Sequence, residues 1–211
     1  MDDKNFSFKL YLVISEETCI HGNFLKVAEE AVKGGVDLVQ LREKNTTTVA
    51  FTEKAFRLKE VLDRYSVPLI INDNLEVAKN VDAYGIHVGT SDIPPTKVNQ
   101  IWTNSPCIGY SIEDLSQLNN KEAALADYLG ISPVFKTPTK TDTIIEWGFH
   151  GIKRIRTMTN KPMVAIGNIN ANNAQEVIRA GADCIAVVSA ICAAEFPAKA
   201  AELLRNEIDK V

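Results

Sequence analysis

Long apolar runs are missing from this 211-residue sequence. None approaches the roughly 20 residues that a membrane-spanning helix needs, so a membrane partner is not expected. The start, Met1-Asp2-Asp3-Lys4-Asn5, lacks the basic-then-apolar order of a secretory signal, and a cytoplasmic protein is the expectation. Cysteine is sparse: the four present, Cys19, Cys107, Cys184 and Cys192, show no CxxC spacing. Cys107 and Cys184 fall at apolar strand positions that suit reduced, buried thiols rather than a redox or metal role. The three histidines, His21, His87 and His150, have no ligand-spaced partners, which excludes a histidine zinc motif. Each reads as a satisfied or exposed side chain rather than a catalytic one. Positive charge is also short. The net charge is −4 and no basic stripe is visible, so a general nucleic-acid binder is excluded. Cations that hold an anionic substrate must therefore be few and well placed.

What is present is an alternation. Strand-like runs occur at Leu10–Ile14, Leu38–Leu41, Pro68–Ile71, Gly85–Val88, Cys107–Gly109, Tyr128–Ile131, Met163–Ile166 and Cys184–Val188. Between them lie stretches with helical apolar spacing. Phe24, Val27, Ala28 and Ala31 share one face, as do Ala50, Ala55, Leu58, Val61 and Leu62. Ala174, Val177 and Ile178 repeat the pattern, and Ala200, Leu203 and Leu204 close it. The joins echo one another: Gly35-Val36-Asp37-Leu38 resembles Gly181-Ala182-Asp183-Cys184, with weaker copies at Val81–Gly85 and Leu125–Leu129. Glycine there can take positive φ and stop the helix.

Strands joined by helices give a parallel sheet with right-handed crossovers, and closure removes its edges. The expected fold is an α/β protein, a single-domain (β/α)8 TIM barrel over residues 1–211 with a core from about 10 to 204. A doubly wound open sheet would normally carry a glycine-rich turn after its first strand. Here Ile14-Ser15-Glu16-Glu17-Thr18 follows instead.

Unusual polar residues gather where such strands end, the catalytic face of a barrel. Gln40-Leu41-Arg42-Glu43-Lys44 follows the second strand, Asn72-Asp73 the third, and Gly89-Thr90-Ser91-Asp92 the fourth. The fifth leads to Ser111, and the sixth to a loop with Thr137, Thr139 and Lys140. The seventh ends in Gly167-Asn168 and the eighth in Val188-Ser189. Arg42 and Lys44 alternate and can point the same way, although a solvated strand edge would look alike. Asp73 and Asp92 suit a magnesium ion with a phosphorylated ligand, or equally the N-caps of two helices. Gly167-Asn168 and Val188-Ser189 stand where barrels often bind phosphate, or are ordinary tight turns. Lys140 by itself reads as exposed.

Taken in order, Leu38-Val39-Gln40-Leu41-Arg42-Glu43-Lys44, Ile70-Ile71-Asn72-Asp73, His87-Val88-Gly89 with Asp92, Pro133-Val134-Phe135 with Thr137, Thr139 and Lys140, Ala165-Ile166-Gly167, and Val187-Val188-Ser189-Ala190-Ile191 resemble the thiamine-phosphate synthase (thiamine-phosphate pyrophosphorylase) family. The resemblance runs from about Leu10 to Leu204. It implies a transferase of thiamine biosynthesis that joins 4-amino-2-methyl-5-pyrimidinylmethyl diphosphate to a thiazole phosphate, or its carboxylated form, with Mg2+ as cofactor. Carried over residue by residue, Gln40, Arg42, Lys44, Asn72, Ser111 and Lys140 would surround the pyrimidine diphosphate. Asp73 and Asp92 would hold Mg2+, and Thr137, Thr139, Gly167, Val188 and Ser189 would line the thiazole phosphate site. The implied catalytic set is Arg42, Lys44, Lys140 and Ser111. The implied partners are small phosphorylated molecules, and a homo-oligomer is compatible with the sequence.

Two positions depart from the family pattern. Where many relatives read Ser-x-His, this chain has Ser111-Ile112-Glu113, which argues against the activity of the related thiazole tautomerases. Where relatives carry Gly-Gly it has Gly167-Asn168, and Asn tolerates positive φ better than other non-glycine residues.

Overall fold

A computed structural model describes residues 6–104, 106–136 and 146–211. Strands and helices alternate as β1 (Leu10–Ile14), α1 (Phe24–Lys33), β2 (Leu38–Leu41), α2 (Thr48–Asp63), β3 (Leu69–Asn72), α3 (Leu75–Asn80), β4 (Gly85–Val88), α4 (Pro95–Ile101) and β5 (Cys107–Ile112). They continue, after a short 3-10 turn at Leu115–Asn119, as α5 (Lys121–Leu125), β6 (Tyr128–Ile131), α6 (Gly148–Arg156), β7 (Met163–Ile166), α7 (Ala174–Arg179), β8 (Cys184–Val187), α8 (Ser189–Cys192) and α9 (Pro197–Ile208). Every neighbouring strand pair is parallel, and β1 pairs back to β8, so the sheet is the expected closed barrel. Among the described residues no helix is long and apolar enough to cross a membrane.

Three strand limits differ from expectation, each for a local reason. Pro68 has no N–H to give the ladder, so β3 begins at Leu69 and extends to Asn72, opposite His87. β5 runs on to Ile112 because Ser111 and Ile112 stay in register with Gly130 and Ile131. β8 stops at Val187, since Val188 turns to φ −116° and ψ −86° at the start of α8.

The helices lay their apolar faces on the barrel. α1 buries Phe24, Val27, Ala28 and Ala31, as its spacing predicts. In α2 the buried face includes Phe51 rather than Ala50, and in α7 Ile178 is only partly covered. In α9 the face is Ala201, Leu204 and Ile208, one position round from the expected one, and Leu203 is 50% exposed. Adjacent apolar pairs fit either of two faces, and Ile208, four residues beyond Leu204, selects this one.

The repeated joins have a structural purpose in their aspartates. Asp37, at the start of β2, accepts hydrogen bonds from the N–H groups of Lys9 and Leu10 at the start of β1. Asp127 accepts from Ile108 N at 2.7 Å, and Asp183 from Met163 N at 2.8 Å. Each carboxylate thus satisfies an otherwise orphaned donor at the amino end of the preceding strand. Arg205 on α9 and Arg156 on α6 pair with Asp37 and Asp183, both at 2.9 Å, which ties the helical shell to the same end. Positive φ at Gly35 (106°) and Gly181 (114°) reverses the chain into two of these joins.

Strand alternation then divides the core. Leu10, Leu12 and Ile14 of β1 face the helices, while Tyr11 and Val13 point inward. The inner set is Tyr11, Val13, Leu38, Ile70, Cys107, Tyr128, Val164, Cys184 and Ala186. It fills the barrel toward the amino ends of the strands, where Phe6 packs on Tyr128 at 4.7 Å between ring centroids and Phe8 on Tyr84 at 5.9 Å. Among the described residues the interior opens toward the carboxyl ends.

Candidate active site

The same period of two carries polar residues into that opening. One step beyond Leu38 the inward position on β2 is Gln40; beyond Ile70 on β3 it is Asn72. On β4 it is His87, on β5 Ser111, on β6 Gly130 and on β7 Ile166, and all of these line one cavity with Val188. Gln40 and Asn72, 4% and 8% exposed, are the buried polar side chains of the described residues, and both serve this cavity. The empty space within it, open solvent at the mouth included, is about 1220 Å3.

Arg42 and Lys44 continue the inward row of Gln40 past the end of β2 and reach the cavity wall. Glu43, between them, turns outward and bonds Lys54 at 2.7 Å. Arg42 and Lys44 thus stand on the cavity wall, Lys44 with its side chain half exposed. Asp73 and Asp92 also line the cavity and are not helix caps: α3 is capped by Asn74, and α4 begins after Pro94. Asp73, at φ 59°, holds the left-handed conformation that swings its carboxylate over the rim, 2.8 Å from Lys44 Nζ. Asp92 Oδ2 accepts from Gly89 N at 2.8 Å. Burial and the adjoining Asp73 carboxylate raise the Asp92 pKa above the usual carboxylate value.

Across the mouth, Gly167 (φ 122°) and Asn168 (φ 51°) make the turn that the sequence allows with a single glycine. A Cβ at Gly167 would come within 2.8 Å of the Val134 nitrogen, so glycine is required there on two counts. Val188 and Ser189 complete the wall, at the start of α8. Thr137, Thr139 and Lys140 lie outside the described residues.

Several lining residues were not expected. Ser15 and Thr18, in the loop after β1, bond each other through their hydroxyls at 3.1 Å and face the cavity. His87 lines it too and is satisfied as expected, its Nδ1 3.0 Å from the Tyr128 hydroxyl and its Nε2 2.9 Å from Ser111 Oγ. Counting by two from Gly85 would have placed it inward. Glu113 is not among the cavity residues: it accepts a bond from Thr90 Oγ1 at 3.0 Å.

A rim with two cations, two adjoining carboxylates, buried amides and a hydroxyl can grip a polyanion and a metal ion together. Comparison with known proteins points the same way. Residues 10–191 match the family model described as thiamine monophosphate synthase. The chain is similar to thiamine-phosphate synthase of Albidiferax ferrireducens, 46% identical over 97% of this chain and 94% of the relative. It is similar to thiamine-phosphate synthase of Leptospira biflexa, 44% identical over 94% and 96%. Among solved structures it resembles a thiamine phosphate pyrophosphorylase from Pyrococcus furiosus, with a TM-score of 0.88, 34% identity, and coverage of 97% and 96%.

Proposed function

The chain belongs to the thiamine monophosphate synthase family, and from that premise we propose that it joins 4-amino-2-methyl-5-pyrimidinylmethyl diphosphate to a thiazole phosphate, forming thiamine phosphate and diphosphate. The observation that carries the reading is the meeting of Gln40, Arg42, Lys44, Asn72, Asp73, Asp92 and Ser111 on one rim, opposite Gly167 and Val188–Ser189. A thiazole tautomerase has no use for that diphosphate grip, and Glu113, which stands where many relatives have histidine, accepts a bond from Thr90.

The reaction breaks a C–O bond and leaves negative charge on diphosphate. Arg42 offers a planar fork to phosphate oxygens and Lys44 a compact charge, and both act more strongly as that charge grows. Lys140 is assigned the same role. Departure yields a pyrimidine-stabilised cation, which the thiazole nitrogen attacks, so no protein nucleophile is needed. Gln40 and Asn72, held from within the barrel, orient the pyrimidine fragment. Backbone N–H groups at Gly167 and Val188–Ser189, with Thr137 and Thr139, hold the acceptor phosphate, which lines up the two fragments.

Asp73 and Asp92 fit a Mg2+ ion. They are hard oxygen donors that both line the mouth, and the burial and neighbouring Asp73 carboxylate that raise the Asp92 pKa are a setting that a divalent cation relieves. Bound there, Mg2+ would neutralise charge on the diphosphate.

The test is a coupling assay with purified protein and both thiazole phosphate forms, with and without Mg2+. Magnesium-dependent thiamine phosphate is the expected product. Binding of both substrates without any product would overturn the reading.

A further inference from the structure

A line of hydrogen bonds crosses the barrel interior beneath the cavity. Gln40 Nε2 donates to the Tyr11 hydroxyl at 2.7 Å, and the hydroxyls of Tyr11 and Tyr128 are 3.0 Å apart. Tyr128 Oη lies 3.0 Å from His87 Nδ1, and His87 Nε2 lies 2.9 Å from Ser111 Oγ. The five residues come from β2, β1, β6, β4 and β5, so the line is a product of the closed barrel.

Space is reserved for it by two glycines. A Cβ at Gly109 would sit 2.2 Å from Tyr128 Cζ and 2.4 Å from His87 Nδ1, and one at Gly130 would sit 2.9 Å from His87 Cε1. Neither tyrosine ionises, because burial pushes both phenol pKa values upward. Each therefore has one proton to give.

Donor counting sets the direction. The amide nitrogen of Gln40 only donates, so the Tyr11 proton must go to Tyr128, and the Tyr128 proton in turn to His87 Nδ1. A nitrogen that accepts is bare, which leaves the imidazole proton on Nε2, donating to Ser111 Oγ. Ser111 lines the cavity and makes no other side-chain bond among the described residues, so its own proton is turned into the cavity.

We propose that Gln40, Tyr11, Tyr128 and His87 form a one-way hydrogen-bond relay that fixes the His87 tautomer and presents Ser111 to the substrate as a donor, aimed at an oxygen of the departing diphosphate. His87, Tyr128 and Tyr11 are thus positioning residues for the coupling reaction, and the identity of the acceptor oxygen rests on the reading given above. The relay makes a hydroxyl, which can both give and accept, arrive at the substrate in one of these two states. A donor strengthens as negative charge builds on the leaving oxygen, which is where catalysis gains.

The test reads the tautomer directly, on substrate-free protein labelled with 15N-histidine, with His87→Gln used to assign its signals. The parent is expected to carry the proton on Nε2. Gln40→Glu places an acceptor-only carboxylate against Tyr11, which reverses every donor along the line and moves the His87 proton to Nδ1. A parent protonated on Nδ1, or a His87 unmoved by Gln40→Glu, overturns the relay. In the coupling assay, Tyr128→Phe should lower kcat by about tenfold to a hundredfold with KM for the diphosphate substrate nearly unchanged. Parental kcat in a folded Tyr128→Phe protein would refute the positioning role. If both tautomer results hold while no thiamine phosphate forms, the relay stands and the assignment of the diphosphate falls.

Discussion

At the scale of single residues, Lys44 is held at the rim by a neighbour rather than by burial. Lys44 is half exposed and bonded to Asp73, so its removal costs the fold little. Lys44→Ala is expected to lower kcat/KM for the diphosphate substrate by about a hundredfold or more while the melting temperature stays put. A melting temperature that falls in step with activity would make Lys44 a structural residue. Arg42, Lys44 and Ser111 were legible in the sequence because strand alternation and strand-end position survive without coordinates. The relay was not. Tyr11 and Tyr128 read only as apolar strand residues, and their pairing depends on which strands barrel closure brings face to face. The contact between Cys19 and Cys192 was hidden for the same reason: a hydrogen bond between these two free thiols lowers the Cys19 pKa and raises that of Cys192, yet no spacing rule joins residues so far apart in the chain.

At the scale of elements, the aspartates of the repeated joins are the devices to test. Asp183 takes the Met163 N–H and pairs with Arg156, so it fastens β7, β8 and α6 at one point. Asp183→Ala should cost about 2 kcal/mol in urea unfolding, and Asp183→Asn, which keeps an acceptor, noticeably less. Equal losses for the two would assign the stabilisation to the Arg156 ion pair. The repeat itself was visible in the sequence, as glycine followed two residues later by aspartate. Its purpose was not, because the donor it satisfies belongs to the preceding strand, 19 to 28 residues earlier in the chain. The shifted face of α9 has a related cause. Apolar neighbours such as Leu203 and Leu204 leave the helix rotation undecided until the surface beneath is known.

At the scale of the whole molecule, the eightfold alternation was plain in the chain, and with it the end of the barrel where chemistry would gather. What alternation could not convey is depth. Phe6 and Phe8 pack at the amino end beneath Tyr128, and Tyr11 floors the cavity, so the described residues leave a vessel with one door. Traffic through a single door has to queue. On the function proposed above, the pyrimidine fragment, set against Gln40 and Ser111, would lie nearest the floor, and the thiazole phosphate, at Gly167 and Ser189, would lie nearer the threshold. Steady-state kinetics should therefore be ordered: the pyrimidine substrate enters first, and the thiazole phosphate, arriving second, shuts it in. Isotope trapping of pre-bound pyrimidine diphosphate by excess thiazole phosphate should be efficient, and pre-bound thiazole phosphate should not be trapped. Equal trapping from both sides would mean a second passage into the barrel.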